Sequence, residues 1–391
     1  MRFLHTSDWH VGKTIGGRSR ADEHRAVLAE ILAIARDAAV DCMLVTGDVF
    51  ESAAPGAEAE KVVYDFFRDL GRAAIPAVVI AGNHDHERKL GAVASLLEVV
   101  DVHVRHDFVR PEKGGVFMLE SRRGEKAAIG AIPFIPEHKI VDACILMEES
   151  GTAFDRYAER MAAILAAFAG ALEPHPIRLL LAHMHIAGSL AGGGERSIHI
   201  GETYAVPAAR LPANLHYLAL GHLHRPQEVG ASSPARFAGS PLALDFGERG
   251  QEKSVVLVEV TGPRVPARIE MIPLRAGREL REVRGTLAEL AALGPAVGDD
   301  HLRVIVTAAE PIPGLADEVR RILPNAVQVQ LEMSAAALGD DNGSTPRADR
   351  GLGPGELYSD YHRNRHGREP APELLALFRE LYGAAAAEEE A

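Results

Sequence analysis

Aspartate, asparagine and histidine recur in short motifs spread over more than half of the chain. The motifs are Asp8-Trp9-His10, Gly47-Asp48, Gly82-Asn83-His84-Asp85, His183 and Gly221-His222-Leu223-His224. Carboxylate, amide and imidazole groups are ligands of divalent metals such as Mn²⁺, Zn²⁺ and Fe²⁺. Their number suffices for two adjacent ions, and such ions activate water and neutralise a reacting phosphate. The residue types therefore favour a metal-dependent phosphoesterase.

Each motif, taken alone, is also typical of ordinary structure. An Asp-x-His pair such as Asp8 and His10 can form a salt-bridged loop, and an aspartate after a strand, such as Asp48, often caps a turn or a helix. A turn can also carry an incidental histidine, as at His84. A lone additional histidine, His185, is expected in a loop or behind the ligands.

The position of the motifs distinguishes them from such features. Five of their residues follow directly on an apolar run that is predicted to be a strand: Asp8, Asp48, Asn83, His183 and His222. Open α/β sheets bind ligands at the carboxyl ends of their strands. We therefore expect the five strands to converge on one edge. Because side chains alternate along a strand, Asp8 and His10 are expected to project from the same side.

The elements that must position these residues follow from hydrophobic periodicity, which indicates α/β layers. Strands are predicted at 2–6, 42–46, 77–81, 127–131, 177–182, 215–220 and 254–260, and helices at 23–38, 58–71 and 154–172. Beyond them, strands at 280–284, 302–306 and 326–331 alternate with helices at 287–293 and 315–323, which predicts a small βαβαβ unit. This unit contains no cluster of catalytic residue types.

We divide the chain accordingly into four parts. A catalytic domain is expected at 1–262, an accessory domain at 263–337, a linker at 338–355 and partner-binding helices within 356–391. The linker is rich in Gly, Pro, Asp and Ser. On the second C-terminal helix, predicted at 372–387, an apolar stripe at helical spacing consists of Leu374, Leu375, Leu377, Phe378, Leu381 and Tyr382.

Composition and charge restrict the class of protein. The chain has 391 residues, of which 47% are hydrophobic and 25% charged, as in globular proteins with more than one domain. Its longest apolar stretch, 161–172, is shorter than the roughly 20 residues that span a bilayer, and we expect no signal peptide. The net charge of −13 argues against a protein that coats nucleic acid alone. Cys42 and Cys144 are expected to be reduced in a cytoplasmic protein.

The order of the motifs resembles the calcineurin-like metallophosphoesterase superfamily. Three segments narrow the resemblance to the SbcD family, the nuclease subunits of bacterial SbcC/SbcD complexes: 6–13, which reads TSDWHVGK, 238–246, which reads AGSPLALDF, and 252–255, which reads EKSV. The resemblance implies a four-layer α/β sandwich, with two mixed sheets flanked by helices, a small α/β capping domain and C-terminal helices. It also implies DNA exonuclease and endonuclease activity in double-strand-break repair, recombination and hairpin processing.

The resemblance assigns roles to individual residues. One ion would be held by Asp8, His10, Asp48 and His224, and the other by Asp48, Asn83, His183 and His222, with Mn²⁺ as the expected metal. His84 matches the catalytic histidine, which assists the leaving oxygen or the transition-state phosphate. Glu51 departs from the Asp or His that many relatives carry near the phosphate path.

The resemblance also implies partners. ATP would be bound by an SbcC-type subunit, because Gly12-Lys13-Thr14 is preceded by Ser7 where a phosphate-binding loop needs glycine. DNA would be held by the assembly, in which two nuclease domains pair within a heterotetramer without membrane contact. Two alternatives stay open. The chain could be a small-molecule phosphodiesterase of the same superfamily, or a scaffold that docks a partner and carries a vestigial site.

Two further segments are interpreted as loops. Lys13, Arg18 and Arg20 are expected to form a solvated basic loop, and Gly192-Gly193-Gly194 a flexible one. The C-terminal stripe is expected either to dock the partner or to pack on the accessory domain.

Overall fold

The computed structural model describes residues 1–136, 139–140, 157–195 and 205–333, together with 358–359, 362–363, 368–372 and 374–378. The chain forms two compact units, Met1–Glu332 and Met333–Ala391. The predicted linker, Cys144 and most of the two predicted C-terminal helices lie outside these residues. Within the second predicted helix, residues 374–378 are helical.

The first unit contains seventeen described strands and six described α-helices. In chain order the strands are β1 Arg2–Thr6, β2 Thr14–Ile15, β3 Arg18–Ser19, β4 Cys42–Thr46, β5 Ala77–Ile80, β6 Val102–Arg105, β7 Val116–Glu120, β8 Lys126–Ile132, β9 Ile177–His183, β10 Tyr217–Gly221, β11 Gln227–Val229, β12 Ala235–Phe237, β13 Ser254–Glu259, β14 Arg268–Pro273, β15 Leu280–Gly285, β16 His301–Ala308 and β17 Ala326–Met333. The helices are α1 Ala21–Asp37, α2 Ala57–Arg72, α3 Glu87–Glu98, α4 Tyr157–Leu172, α5 Leu287–Leu293 and α6 Leu315–Ile322.

Two six-stranded sheets form the body of this unit. The first has the order β14-β13-β1-β4-β5-β6 and the second the order β11-β12-β10-β9-β8-β7. In the first sheet β1, β4, β5 and β6 are parallel, whereas β13 joins β1 antiparallel. In the second, β8, β9, β10 and β12 are parallel, and the edge strands β7 and β11 are antiparallel to their neighbours. Both sheets are therefore mixed, as expected.

The central strands are buried on both faces, which explains their nearly continuous apolar sequences. Val45 of β4 packs among residues of α1, α2 and α3, whereas its neighbour Leu44 packs with Leu181 of β9 between the two sheets. Leu180, on the other face of β9, packs with Phe168 of α4. The layers thus run helix, sheet, sheet, helix, and the four-layer α/β prediction is confirmed.

A three-stranded sheet with the order β15-β16-β17 forms the small α/β part and packs its own core with α5 and α6. Strand Arg268–Pro273 lies within the range expected for the accessory domain, yet it pairs with β13 in the first sheet. The first sheet therefore extends past residue 262. The start of β16 contacts α1, where the His301 Nε2 and Glu23 Oε1 atoms lie 2.8 Å apart.

The elements that sequence analysis identified match the structure to within three residues at their described ends. It did not identify the short strands β2, β3, β6, β7, β11, β12 and β14, or the helix α3. Most of these strands lie at sheet edges or in a hairpin, where the side chains are mixed in polarity. Among the residues that the structure describes, none of the helices has both the length and the apolar character to cross a membrane.

Candidate metal centre

The polar motifs lie where five strands from two sheets end. Asp8 and Asp48 follow the last residues of β1 and β4 by two positions, and Asn83 follows the end of β5. His183 is the last residue of β9, and His222 comes directly after β10. The five strands were expected to converge on one edge. In the structure this edge is formed by the carboxyl ends of two facing sheets, and the side chains meet between them.

Left-handed backbone turns the site residues toward one another. Asp8, His10 and Asp48 have φ angles of 50°, 49° and 48°, and His222 has a φ of 109°. Residues other than glycine rarely adopt positive φ, and such conformations cluster at functional sites. Asp8 and His10 therefore lie beyond β1, and the expectation that strand alternation would align them was wrong. Their loop is held instead by the Asp8 N–H, which donates to the Gly47 carbonyl at 3.0 Å.

Two glycines make this packing possible. Gly47 has a φ of +91°, a conformation that a side chain would strain. Gly221 approaches the facing sheet so closely that an added Cβ atom would collide with the Thr46 carbonyl oxygen and the Ser7 hydroxyl. The glycines of the Gly-Asp and Gly-His motifs are therefore required by the close approach of the two sheets.

One group of potential ligands comprises Asp8, His10 and His224, whose nearest donor atoms lie within 4.8 Å of one another. The Nε2 atoms of His10 and His224 are 3.1 Å apart, and His10 Nε2 is 3.5 Å from Asp48 Oδ2. All four side chains are buried. The residues expected at the first metal position are thus brought together.

A second group meets on the other side of Asp48. The Asn83 Oδ1 atom lies 2.9 Å from both His183 Nε2 and His222 Nδ1. His183 Nε2 is 3.5 Å from Asp48 Oδ2, and Asp8, Asp48 and His183 also fall within the 4.8 Å limit. Asp48 is therefore common to both groups, the position that a bridging carboxylate requires.

The protonation of these groups fits a metal site. Burial raises the pKa of Asp8 well above its usual range, and the neighbouring Asp48 carboxylate raises it further. Although burial alone would raise it, the pKa of Asp48 is held low by His183, His10 and His84. Burial lowers the pKa of His10 to about 4 and also lowers that of His183. Both rings are thus neutral near pH 7, the form in which imidazole binds metal.

The donor set consists of two buried carboxylates, one amide oxygen and several imidazoles, of which His10 and His183 are neutral near pH 7. Burial lowers the pKa of His224, but its hydrogen bond to the Glu248 carboxylate and the charge of that carboxylate together outweigh burial and raise that pKa above its usual value. In the described part of the chain, the ion-pair partners of Asp48 are histidines and no lysine or arginine. Two buried carboxylates that share a site destabilise each other unless a cation or a proton lies between them. Carboxylate, amide and imidazole ligands in this arrangement therefore fit divalent metal ions.

His84 lies at the border of this cluster. Its donor atoms fall within 4.8 Å of those of His10 and Asp48, so distance alone would also admit it as a ligand. Its backbone N–H donates to Asp48 Oδ1 at 2.8 Å, and its Nδ1 lies 2.7 Å from the Glu51 carbonyl oxygen. The ring is therefore fixed at Nδ1, and Nε2 is the nitrogen available for a substrate.

Sequence reasoning did not reveal how two glutamates contact the ligand histidines. Glu51 accepts from His10 Nδ1 at 2.8 Å and from Lys13 Nζ at 2.7 Å, which places its carboxylate behind the ligand. Glu248 is fully buried, and its Oε1 lies 2.9 Å from His224 Nδ1. Glu248 lies between the two segments 238–246 and 252–255 that carry the family resemblance, and its proximity to them was the available signal.

The interpretation of the basic residues as a solvated loop was wrong for Lys13 and Arg20. Lys13 is paired with Glu51, and Arg20 is 1% exposed because it binds Glu23. The Gly192-Gly193-Gly194 segment packs against His224, and Glu195 at its end accepts from the His224 backbone N–H at 2.9 Å. The glycine segment is a loop, as predicted, and it belongs to the packing around His224.

Asp85 is a further residue whose role the sequence did not indicate. Its carboxylate accepts hydrogen bonds from the N–H groups of Gly82 at 2.9 Å, Val49 at 3.2 Å and Phe50 at 2.9 Å. Burial, and then the charge of Asp48, raise its pKa to about 7. Asp85 therefore joins the loop that carries Asp48 to the loop that carries its own motif.

Comparison with known proteins finds family models that match both parts of the chain. The family model described as calcineurin-like phosphoesterase matches residues 1–226, and one described as type 5 capsule protein repressor C-terminal domain matches residues 276–361. Three relatives named as the SbcD component of the SbcCD nuclease are similar. That of Bacillus subtilis is 34% identical over 72% of this chain and 71% of its own. That of Rhodobacter capsulatus is 34% identical over 74% and 76%, and that of Escherichia coli K12 is 30% identical over 75% and 73%. The chain therefore belongs to the calcineurin-like phosphoesterase family and, within it, to the family of SbcD nuclease subunits.

Proposed function

We propose that this chain is a metal-dependent DNA nuclease with exonuclease and endonuclease activity, the nuclease subunit of a complex with an SbcC-type ATPase. The observation that carries the proposal is the buried cluster in which Asp48 is common to two groups of ligands. The relatives are named as nuclease subunits, which supports a nucleic acid as the substrate. DNA, with double-strand-break repair, recombination and hairpin processing as the setting, is what the family resemblance implies. The cytoplasm remains the predicted compartment.

Two divalent ions, which we propose to be Mn²⁺, would be held in the cluster. The first would be bound by Asp8, His10, Asp48 and His224, and the second by Asp48, Asn83, His183 and His222. When bound, such ions neutralise the phosphate and lower the pKa of water enough for hydrolysis at neutral pH. All of these ligands are buried except Asn83, which is partly exposed.

His84 is the proposed catalytic residue. Because its Nδ1–H donates to the Glu51 carbonyl, the ring presents Nε2 toward the cluster. When protonated, Nε2 donates to the leaving oxygen or to the phosphate, a role that contributes about 10²- to 10⁴-fold to the rate. The Asp48 contact with the His84 backbone keeps this ring at a constant distance from the proposed bridging carboxylate.

Cleavage of end-labelled duplex DNA in Mn²⁺ tests the proposal. We expect His84→Gln to lose about 10²- to 10⁴-fold in kcat while it still binds Mn²⁺, and Asp48→Ala to lose both activity and metal. His86→Gln is the matched control, because His86 is an exposed histidine two positions further along. Full Mn²⁺-dependent cleavage by His84→Gln or Asp48→Ala would refute the assignment.

The same preparation separates the alternative functions. Hydrolysis of a cyclic nucleotide in preference to duplex DNA would favour the small-molecule phosphodiesterase. Absence of Mn²⁺ binding to the wild-type chain would favour the scaffold with a vestigial site. The assay repeated with an SbcC-type subunit and ATP measures how far cleavage depends on the complex.

We propose that the C-terminal stripe contributes to binding of the SbcC-type subunit. In the second compact unit Leu374 and Leu377 are 38% and 51% exposed, while the Phe378 ring stacks on Tyr358 at 4.3 Å. A truncation after Gly355 is expected to abolish association, measured by co-purification with the ATPase subunit. Unchanged association would show that the stripe serves another purpose.

Pairing of two nuclease domains is proposed to involve α3. Leu96 and Val99, three positions apart at the end of this helix, are 69% and 83% exposed. Such an apolar pair on a helix surface is suited to packing against a second copy of itself. Substitution of both residues by glutamate should give a monomer by light scattering, and an unchanged dimer would exclude this surface.

A further inference from the structure

Two of the proposed ligands at the first metal position are backed by the same arrangement of charges. The Nδ1 of His10 lies 2.8 Å from Glu51 Oε2, and Lys13 Nζ donates to the other oxygen of Glu51 at 2.7 Å. The Nδ1 of His224 lies 2.9 Å from Glu248 Oε1, and Lys253 donates to Oε2 of Glu248 at 2.6 Å. Each imidazole thus faces a carboxylate whose other oxygen forms an ion pair with a lysine.

The two lysine–glutamate pairs differ in burial. Glu248 is 0% exposed and Lys253 is 8% exposed, whereas Lys13 and Glu51 are each 26% exposed. Ser240 Oγ and the Leu244 N–H also donate to Glu248 Oε2, at 3.2 and 3.1 Å. The Glu248 carboxylate therefore has its remaining hydrogen-bonding capacity satisfied inside the protein and cannot turn away from His224.

This arrangement dictates which ring nitrogen carries the proton. A carboxylate at Nδ1 accepts a hydrogen bond, so the neutral ring is protonated at Nδ1 and its lone pair is on Nε2. His10 Nε2 and His224 Nε2 face each other at 3.1 Å. Two lone pairs at this distance repel unless a cation or a proton is shared between them. The four charged groups thus prepare both rings to bind one cation.

The second proposed position is built differently. The Nδ1 of His183 donates to the Thr46 carbonyl oxygen at 2.7 Å, a neutral acceptor. An ionised carboxylate stabilises developing positive charge on an imidazole more strongly than a carbonyl does, and it increases the ligand's basicity. Because each lysine balances its glutamate, this support adds no net charge to the site.

We propose that Glu51–Lys13 and Glu248–Lys253 are positioning pairs. They make the first metal position, formed by Asp8, His10, Asp48 and His224, bind its ion more tightly than the second. The inference rests on the two-metal function proposed above. It also gives a role to the segments of the family resemblance, because Lys13, Ser240 and Lys253 each lie in one of them. Glu51, the departure from the relatives' Asp or His, then keeps a carboxylate at the ring of His10.

Titration calorimetry of the metal-free full-length chain with MnCl₂ tests the proposal. The wild type should show two binding constants. Glu248→Gln should weaken the tighter one about 10- to 100-fold, the usual effect of losing a group that orients a ligand, and leave the weaker one unchanged. Glu51→Gln should weaken the same binding constant, because His10, which contacts Glu51, is a proposed ligand of the same ion. Glu252→Gln is the matched control, since Glu252 is exposed in the same segment.

A spectroscopic measurement distinguishes positioning from mere structural support. Long-range ¹H–¹⁵N spectra of the metal-free protein should show His224 protonated at Nδ1 in the wild type and a mixture of tautomers in Glu248→Gln. Cleavage by Glu248→Gln should recover at high Mn²⁺ concentration. If Glu248→Gln does not fold, Glu51→Gln decides the question. Glu51 is partly exposed, so its substitution disturbs the fold less, and His84 contacts the Glu51 backbone carbonyl, which the substitution keeps.

The outcomes separate this inference from the function on which it depends. Failure of the wild type to bind Mn²⁺ would overturn the proposed function. Two constants in the wild type that both persist in Glu51→Gln and Glu248→Gln would overturn only the positioning pairs. Weakening of different constants by the two variants would show that the glutamates serve different ions, and it would overturn the proposed asymmetry.

Discussion

Asp85 offers a direct test of how the loops around the metal centre are held. Its carboxylate accepts three backbone hydrogen bonds, from Gly82, Val49 and Phe50, and so ties the loop after β4 to the loop after β5. These loops carry Asp48, the proposed bridging ligand. Asp85→Ala would leave three N–H donors without their acceptor in a largely buried loop.

The expected magnitude follows from those three bonds. A buried donor left unsatisfied costs about 1 to 3 kcal/mol. Because the Asp85 side chain is only partly buried, water can reach some of the donors, and we take the lower figure for each. Asp85→Ala should therefore lower the free energy of unfolding by about 3 kcal/mol. Asp85→Asn keeps one oxygen and should lose about 1 kcal/mol for the donor that then faces its NH₂ group.

Urea denaturation in EDTA measures the free energy of unfolding, and MnCl₂ titration measures the affinity of the site for Mn²⁺. Asp37→Ala, at the exposed end of α1, is the control and should change stability by less than about 0.5 kcal/mol. We expect the order wild type, Asn, Ala in both stability and Mn²⁺ affinity. An Asp85→Ala protein with the wild-type urea midpoint and unchanged affinity would refute the reasoning.

Three further predictions concern packing, pH and metal. Gly221→Ala should destabilise the fold by about 1 to 3 kcal/mol, since its Cβ would collide with the Thr46 carbonyl; an unchanged thermal midpoint would contradict this. Burial, and then the charge of Arg236, lower the pKa of His5 from 6.5 to about 3. Below pH 6.5 the unfolded chain binds a proton that the folded chain does not, so stability should fall by about 1.4 kcal/mol per pH unit toward pH 3. Urea curves of the wild type and His5→Gln should diverge by this slope, and parallel curves would disprove it. Removal of divalent ions by EDTA should abolish cleavage reversibly, and activity that survives dialysis against EDTA would rule out metal dependence.

The main elements of the fold were predictable from the sequence because their apolar patterns are local. β1 and β4 begin and end where predicted, at Arg2–Thr6 and Cys42–Thr46. Strands buried on both faces read as unbroken apolar runs, whatever their partners are. Most of the strands that were missed lie at the edges of the two large sheets or in a hairpin, and their short sequences mix apolar and polar residues. The division into two sheets was available only through the family resemblance.

The metal centre shows the same division at the level of single residues. Sequence alone determined which side chains are of ligand type and that most of them follow apolar strands, since both properties are local. It did not determine that His10 and His224, 214 positions apart, face each other at 3.1 Å. Nor did it determine that Glu51 and Glu248 serve these rings, because what a carboxylate does depends on which group lies beside it. Only the tertiary structure sets that distance, through positive φ angles and the close approach of two sheets.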